Sequence, residues 1–422
     1  VQQLAEVRPP QATQAIYSSQ GVKLIERGAT VDQRLYDRLM RHQLAAPLED
    51  SLEAQDSVSG RVLRATAEKL IERRPILGYM LESPTVRATL LDALEAMPLP
   101  PPIAFKLSVA RDVHPALFQY NVCAALIAGW LATGPNALRY DVSMVVAAGM
   151  LQDLGMMHVD PVLLQPEGTL TREQRRQLYS HPLVSALLLE RHHEYPRELI
   201  RAVREHHEML DGSGYPAGLT ADKISAWGRI LSLAQVVSAL LRPGRGLSSL
   251  RLSLLLRTNR HQFDVDLGER VLAVVQQLGR DSVPATPTEM ASLEPVASPA
   301  NKLIAMDTLL SEWPGERANE ANTTPARRAG MAALGQQCEQ MRRLLADVGA
   351  SADQLTQLGD GFDDEVLTSE LSLVAQEMAW QLRTLTRQVG RRWAATPGEA
   401  LPKALQDWVR QVQDCIGDLV EI

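Results

Sequence analysis

Residues 206–219 read HHEMLDGSGYPAGL. Two adjacent histidines, in a chain that holds nine, run into an acidic, glycine-rich turn that ends Gly214-Tyr215-Pro216. Asp153 and His181 lie upstream. An Asp, a His and a His pair spread over about 55 residues match metal-site spacing in a helical protein, one or two ligands to a helix. Neighbouring side chains on a helix diverge by about 100°. His206 and His207 can therefore reach one ion only where the helix ends or distorts, and the glycine loop that follows permits this. Gly212, Gly214 and Gly218 allow positive φ, and Pro216 fixes a turn.

The stretch resembles the HD-GYP cyclic-dinucleotide phosphodiesterases. The similar text runs from GMLQDLGMMHVDPVLLQPEGTLT (149–171), through His181-Pro182, to HHE-x-x-DGSGYP and GRILSLAQ (228–235), within residues 104–280. The resemblance implies a helical HD domain and a di-metal phosphodiesterase site, but the chain departs from that pattern. Gln152-Asp153 stands for the family's His-Asp pair, and Met156 for the lysine three residues later. Gln235 stands for the late aspartate. Phe118 occupies the register of an early His or Glu, with His114 and Asn121 one turn to either side. On the family's arrangement, one metal site keeps only Asp153. The other, made of Asp153, His181, His206 and His207, is complete.

Three neutral imidazoles and a carboxylate suit Zn, Fe or Mn. The expectation is therefore either no cofactor or one divalent transition metal in this half-site; packed histidines without an ion are the alternative. Two-metal hydrolysis needs one ion to activate water and another to stabilise the leaving oxygen. Neutral glutamines leave the first site short of charge, so no catalytic residue is assigned. Arg242-Pro243-Gly244-Arg245 stands where the family has Arg-Pro-Tyr-Arg. Arg242 and Arg245 are candidate phosphate ligands, since guanidinium grips phosphate in bidentate fashion. Arg229 is another candidate, or a brace holding the loop beside Asp211. The loop residues Asp211, Gly214, Tyr215 and Pro216 are read as a contact surface with Tyr215 partly exposed. In the family this loop is implicated in contacts with diguanylate cyclase (GGDEF) domains.

The whole chain sets the bounds. At 422 residues it suggests two or three domains. Hydrophobic content of 45% supports a sizeable core, and with 4% aromatics that core must be mainly Leu, Val, Ala and Met. A net charge of −7 argues against a nucleic-acid partner. Cys123, Cys338 and Cys415 are scattered and odd in number, which suggests a reducing compartment, read as cytoplasmic. The longest apolar run, near Val142–Leu151, is too short for a membrane span, and the expectation is a chain without a leader.

The expected fold is mostly α: an HD-superfamily helical domain with a small N-terminal α+β unit and a C-terminal helical bundle. Residues 1–100 read as the N-terminal unit. It has a hairpin around Gly21 and Gly28, a helix from residue 32 capped by Thr30 or Asp32, and helices near 56–73 and 84–97. PLPPP at 98–102 marks the boundary to the degenerate HD-GYP domain, 101–280. Helix 141–153 is nearly all apolar, which buries Asp153 at its end and demands a partner for the charge. Residues 281–330 read as a Pro/Ser/Thr-rich linker, partly disordered, with a short helix near 302–312.

The C-terminal module, 331–422, carries three seams at three-four spacing: Leu334–Val348, Leu371–Val389 and Leu405–Leu419. Trp380, Trp393 and Trp408 near their edges suggest a homo-oligomer or partner contact. Together these features point to a non-catalytic regulator or receptor of cyclic-dinucleotide signalling, with cyclic di-GMP as ligand. The alternatives are a single-metal phosphodiesterase of altered substrate and a pure interaction scaffold.

Overall fold

The computed structural model describes residues 2–164, 171–241, 252–253, 255–257, 259–281, 298–315, 325–358, 365–394 and 401–417. Arg242, Arg245 and Leu419, with most of the expected linker, lie outside the described residues. The chain divides into two compact units, one of Val1–Arg242 with Arg260–Arg280, the other of Pro243–Asn259 with Asp281–Ile422. As expected, the fold is mostly α.

The first unit opens with the helix Gln2–Val7, followed by short antiparallel pairs. Ile16–Tyr17 pairs with Lys23–Ile25, and Gln11–Ala12 with Leu52–Glu53. Gly21 and Gly28 sit at φ +79° and +83°, where a β-carbon would be strained. Asp32 caps the helix Gln33–Leu39 by accepting from the Leu35 amide at 2.8 Å. Leu4, Ala12, Ile16, Val31 and Leu39 form an apolar cluster that also contains Phe105 and Val109. Those two lie beyond the proline run, on the helix Pro101–Val113, which Pro101 starts.

Helices Gly60–Arg73, Pro75–Met80 and Pro84–Glu95 follow the hairpin region. At the centre is Pro115–Ala132, packed against Arg139–Leu151 and Ala226–Leu240. By length and composition it could cross a membrane, with a mean hydropathy of 1.3, longer than the run singled out in the sequence. Two thirds of it (67%) is buried inside the fold, because it is apolar on every face and serves as the core helix.

The second unit is a helical bundle of Pro299–Ser311, Pro325–Asp347, Ala352–Leu358, Glu365–Ala394 and Lys403–Ile416. Leu334, Cys338, Met341 and Leu345 share one core with Leu371, Met378, Leu382 and Val389, and with Leu405, Val412 and Ile416. The helix inside the span read as linker belongs to this core: Leu303, Met306 and Leu310 are at most 2% exposed. Its buried Asp307 accepts from Arg342 Nε at 3.0 Å and from the Ala352 amide at 2.9 Å, so it also satisfies the first amide of helix Ala352–Leu358.

Trp408 corrects the expectation of an edge position. It is buried, its indole N–H donates to the Leu309 carbonyl at 2.8 Å, and its ring meets Trp313 edge-on at 4.8 Å. Trp380 is half-buried, and the Trp393 side chain lies outside the described residues. Trp408→Ala is expected to destabilise the second unit by about 3–5 kcal/mol in denaturant unfolding. A loss under about 1 kcal/mol would place Trp408 outside the packed core.

Candidate metal centre

Each residue of the His/Asp cluster sits at the end of an element. Helix Arg139–Leu151 ends just before Gln152 and Asp153, and Asp153 precedes the tight turn Leu154–His158. His181 is the first residue of helix His181–Leu189. Helix Arg197–Glu205 ends just before His206, so both histidines lie beyond the regular helix and escape its 100° divergence. All four donor atoms of Asp153, His181, His206 and His207 lie within 4.8 Å of one another.

The protons in this cluster can be assigned. His181 Nδ1 lies 2.8 Å from the Leu178 carbonyl, and His206 Nδ1 lies 2.6 Å from the Val203 carbonyl. A carbonyl only accepts, so both Nδ1 atoms carry hydrogen. The two Nε2 atoms then face each other at 3.2 Å as bare lone pairs when the rings are neutral. Asp153 Oδ1 stands 3.2 Å from His181 Nε2 and 3.5 Å from His206 Nε2. Three such lone pairs repel one another unless a cation or a proton lies among them.

An ion bound tetrahedrally at about 2.0–2.1 Å places its ligand atoms about 3.3–3.4 Å apart, and the three observed separations bracket that value. The donor set therefore fits one divalent transition metal, held by Asp153, His181 and His206 with His207 as a fourth ligand. Burial alone would raise the Asp153 carboxyl, but a proton on His181 or His206 Nε2 would donate to it and outweigh burial, holding the group well below the usual carboxylate range. Burial, then the neighbouring His206 and His181, keep His207 neutral far below its ordinary pKa, which suits a ligand.

The positions read as degenerate are occupied differently. Phe118 is buried. Gln152 is wholly buried, and both atoms of its amide lack a hydrogen-bond partner. Gln235 is buried, with its amide oxygen 3.2 Å from the Tyr120 hydroxyl. Asn121 is buried with Oδ1 unpartnered, while His114 is half-buried at the end of Pro101–Val113. Met156 is half-buried.

The glycine loop is built onto the cluster. Tyr215 is half-buried, its ring stacked on His207 at 4.5 Å (19°) and on Tyr179 at 4.2 Å (11°). Burial pushes its phenol far up, so it stays neutral. Gly214 is needed for close approach rather than for positive φ. A β-carbon there would fall 2.4 Å from the His207 carbonyl oxygen and the Met209 nitrogen. Gly212 and Gly218 do take positive φ, +77° and +64°. The Tyr215-Pro216 peptide is cis.

Asp211 accepts from the Ser213 amide and hydroxyl, and its ion-pair partner is His261 at 3.4 Å, not Arg229. Arg229 instead donates to the Ala221 carbonyl at 2.6 Å and faces Asp264 at 3.5 Å.

Two buried acids were given no role from sequence. Glu208 accepts from the Ala217 amide at 2.7 Å and the Leu219 amide at 2.8 Å, so its carboxylate staples the loop's return. Glu205 accepts from the Ser225 amide and hydroxyl and from Arg201. Glu208 stands inside the HHE motif, and an acid there, facing a glycine loop rich in free amides, was the available signal. Glu208→Ala should cost about 3–6 kcal/mol, the scale for two charge-assisted hydrogen bonds. Hydrogen exchange should show protection lost at Ala217 and Leu219; unchanged protection would remove Glu208 from that role.

Residues 110–267 match the family model described as HD domain. The chain's relatives include a cyclic di-GMP phosphodiesterase of Pseudomonas aeruginosa, 33% identical over 159 residues, which are 36% of this chain and 37% of that one. A 3'3'-cGAMP-specific phosphodiesterase of Vibrio cholerae is 31% identical over 185 residues, 41% of each chain. The chain spans from about a fifth to about two fifths of the curated relatives it matches. A solved HDG"Y"P protein from Bdellovibrio bacteriovorus aligns with a TM-score of 0.36 and 13% identity, over 65% of this chain and 98% of that one.

Proposed function

We propose that this chain is a regulatory or receptor component of cyclic-dinucleotide signalling. Its HD domain keeps one metal half-site and has given up two-metal hydrolysis. The observation that carries the reading is the asymmetry of the cluster. Asp153, His181 and His206 converge with bare ligand atoms, whereas Gln152 contributes a neutral amide without any partner and Phe118 contributes no ligand atom at all.

In this reading one divalent ion of the Zn, Fe or Mn class, bound by Asp153, His181, His206 and His207, would supply Lewis acidity and anchor a phosphate. Arg242 is proposed as a further phosphate ligand. Arg229 acts instead as a brace under the loop, consistent with its Ala221 and Asp264 contacts. The ligand is proposed to be cyclic di-GMP or a related dinucleotide, after the substrates named for the relatives. We assign the protein to the cytoplasm, where unpaired thiols such as buried Cys123 and Cys338 persist.

A GGDEF-domain partner would meet the loop through Asp211 and the half-buried Pro216. Tyr215 is engaged by His207 and Tyr179 and gives such a partner little more than its edge. The proposed domain plan keeps 1–100, 101–280 and 331–422 as functional segments, with the helices of the last as a route to self-association.

The completeness of the half-site favours one second reading, a single-metal phosphodiesterase. Incubation with cyclic di-GMP and added Mn or Fe separates the two. The regulatory reading expects no linear dinucleotide or GMP above a buffer control. Product formed in proportion to protein, and lost in Asp153→Ala, would replace it with the enzyme.

A further inference from the structure

The short helix Arg172–Leu178 reads REQRRQL and runs directly into Tyr179. Thr171 and Gln174 lock its start with a reciprocal capping box, and the Tyr179 amide donates to the Arg175 carbonyl at 2.8 Å, so the helical turn carries through to Tyr179. Arg175 and Arg176 stand four and three residues before Tyr179, and Arg172 seven before it. At 3.6 residues per turn these side chains flank one face.

All three arginines are exposed, and none has an ion pair or a side-chain hydrogen bond among the described residues. The same helix carries Glu173, so three arginines against one carboxylate leave an excess of positive charge beside Tyr179 in a chain of net charge −7. Tyr179 has one ring face on Tyr215, which in turn lies on His207, yet it remains 42% exposed. The stack Tyr179–Tyr215–His207 therefore starts in solvent and ends at the metal cluster.

We propose that Tyr179 is a nucleobase platform and that Arg175 and Arg176, aided by Arg172, hold the phosphate of the same ligand at the lip of the His/Asp site. A ligand that suits this arrangement has a flat aromatic face and a phosphate within a few ångströms of it, which is the chemistry of a nucleotide. Stacking on tyrosine tolerates any base, so the platform gives affinity, and the phosphate geometry selects. This inference rests on the reading of the domain as a cyclic-dinucleotide binder, and it adds residues that the Arg242 assignment does not include.

The test is titration of the full chain with cyclic di-GMP and, separately, 3'3'-cGAMP by calorimetry, with metal content and melting temperature measured alongside. Tyr179→Ala is expected to weaken binding about 5- to 150-fold, the range that loss of one base–aromatic stack produces. Tyr179→Phe should stay within about twofold of wild type, because the ring is retained. The exposed double variant Arg175→Ala/Arg176→Ala cannot disturb packing; it should weaken binding at least about tenfold and flatten its dependence on salt.

If wild type binds and the alanine variants bind equally well, this inference falls while the dinucleotide reading stands. If wild type binds neither dinucleotide while retaining its metal, the dinucleotide reading falls and takes this inference with it.

Discussion

Purified His206→Ala should come off a column without metal, even after growth or refolding with Zn, Fe or Mn, and should melt lower than wild type. His206 Nε2 stands 3.2 Å from His181 Nε2 and 3.5 Å from Asp153 Oδ1, so its loss removes one corner of the only complete donor set among the described residues. An ion at one hundred times its dissociation constant adds about 2.7 kcal/mol to the folded state. For a unit of this size that corresponds to roughly 5–10 °C. Stripping wild type with a chelator should bring it down to the melting point of the variant. If the wild-type melting temperature responds neither to chelator nor to added metal, the cluster packs as ordinary buried histidine.

Gly155→Ala should be almost as damaging, although Gly155 carries no chemistry. A β-carbon there would fall 2.2 Å from the His181 carbonyl oxygen and 3.0 Å from the Ser185 nitrogen, both backbone atoms of the helix that presents His181. The Gly155 amide also donates to the Ser185 hydroxyl at 2.8 Å. This contact holds the Asp153 turn against the His181 helix, so the alanine must push the two ligands apart. Overpacking of this kind costs about 1–3 kcal/mol, and metal affinity should fall at least about tenfold. Equal metal affinity in wild type and Gly155→Ala would mean that the helix shifts without moving His181.

The fold was legible where period and punctuation agree. Asp32 as a cap, the glycine-marked hairpin and the three-four seams of the C-terminal helices each follow from local rules that tertiary packing reinforces. The cluster of Asp153, His181, His206 and His207 was legible from residue types and spacing, since each residue sits at a helix end.

Other features depend on long-range contacts that no local pattern encodes. Trp408 lies in the core because Pro299–Ser311 supplies the carbonyl of Leu309 to its indole, and that helix sits in a segment whose flanks are rich in Pro, Ser and Thr. Asp211 pairs with His261, fifty residues on, and Glu208 faces amides that only the folded loop brings back. Gly214 looks like a residue that needs positive φ, yet what it needs is room beside His207 and Met209.

We propose one ion held by Asp153, His181, His206 and His207, and none beside Gln152 and Gln235. The most direct measurement is the metal content of the purified full chain, by elemental analysis, after saturation with Zn, Fe or Mn and removal of loose ions. One ion per chain is expected, lost in Asp153→Ala. Two ions per chain would mean that Gln152 and Gln235 still complete the other site, and no ion at all would mean that the four residues hold only one another.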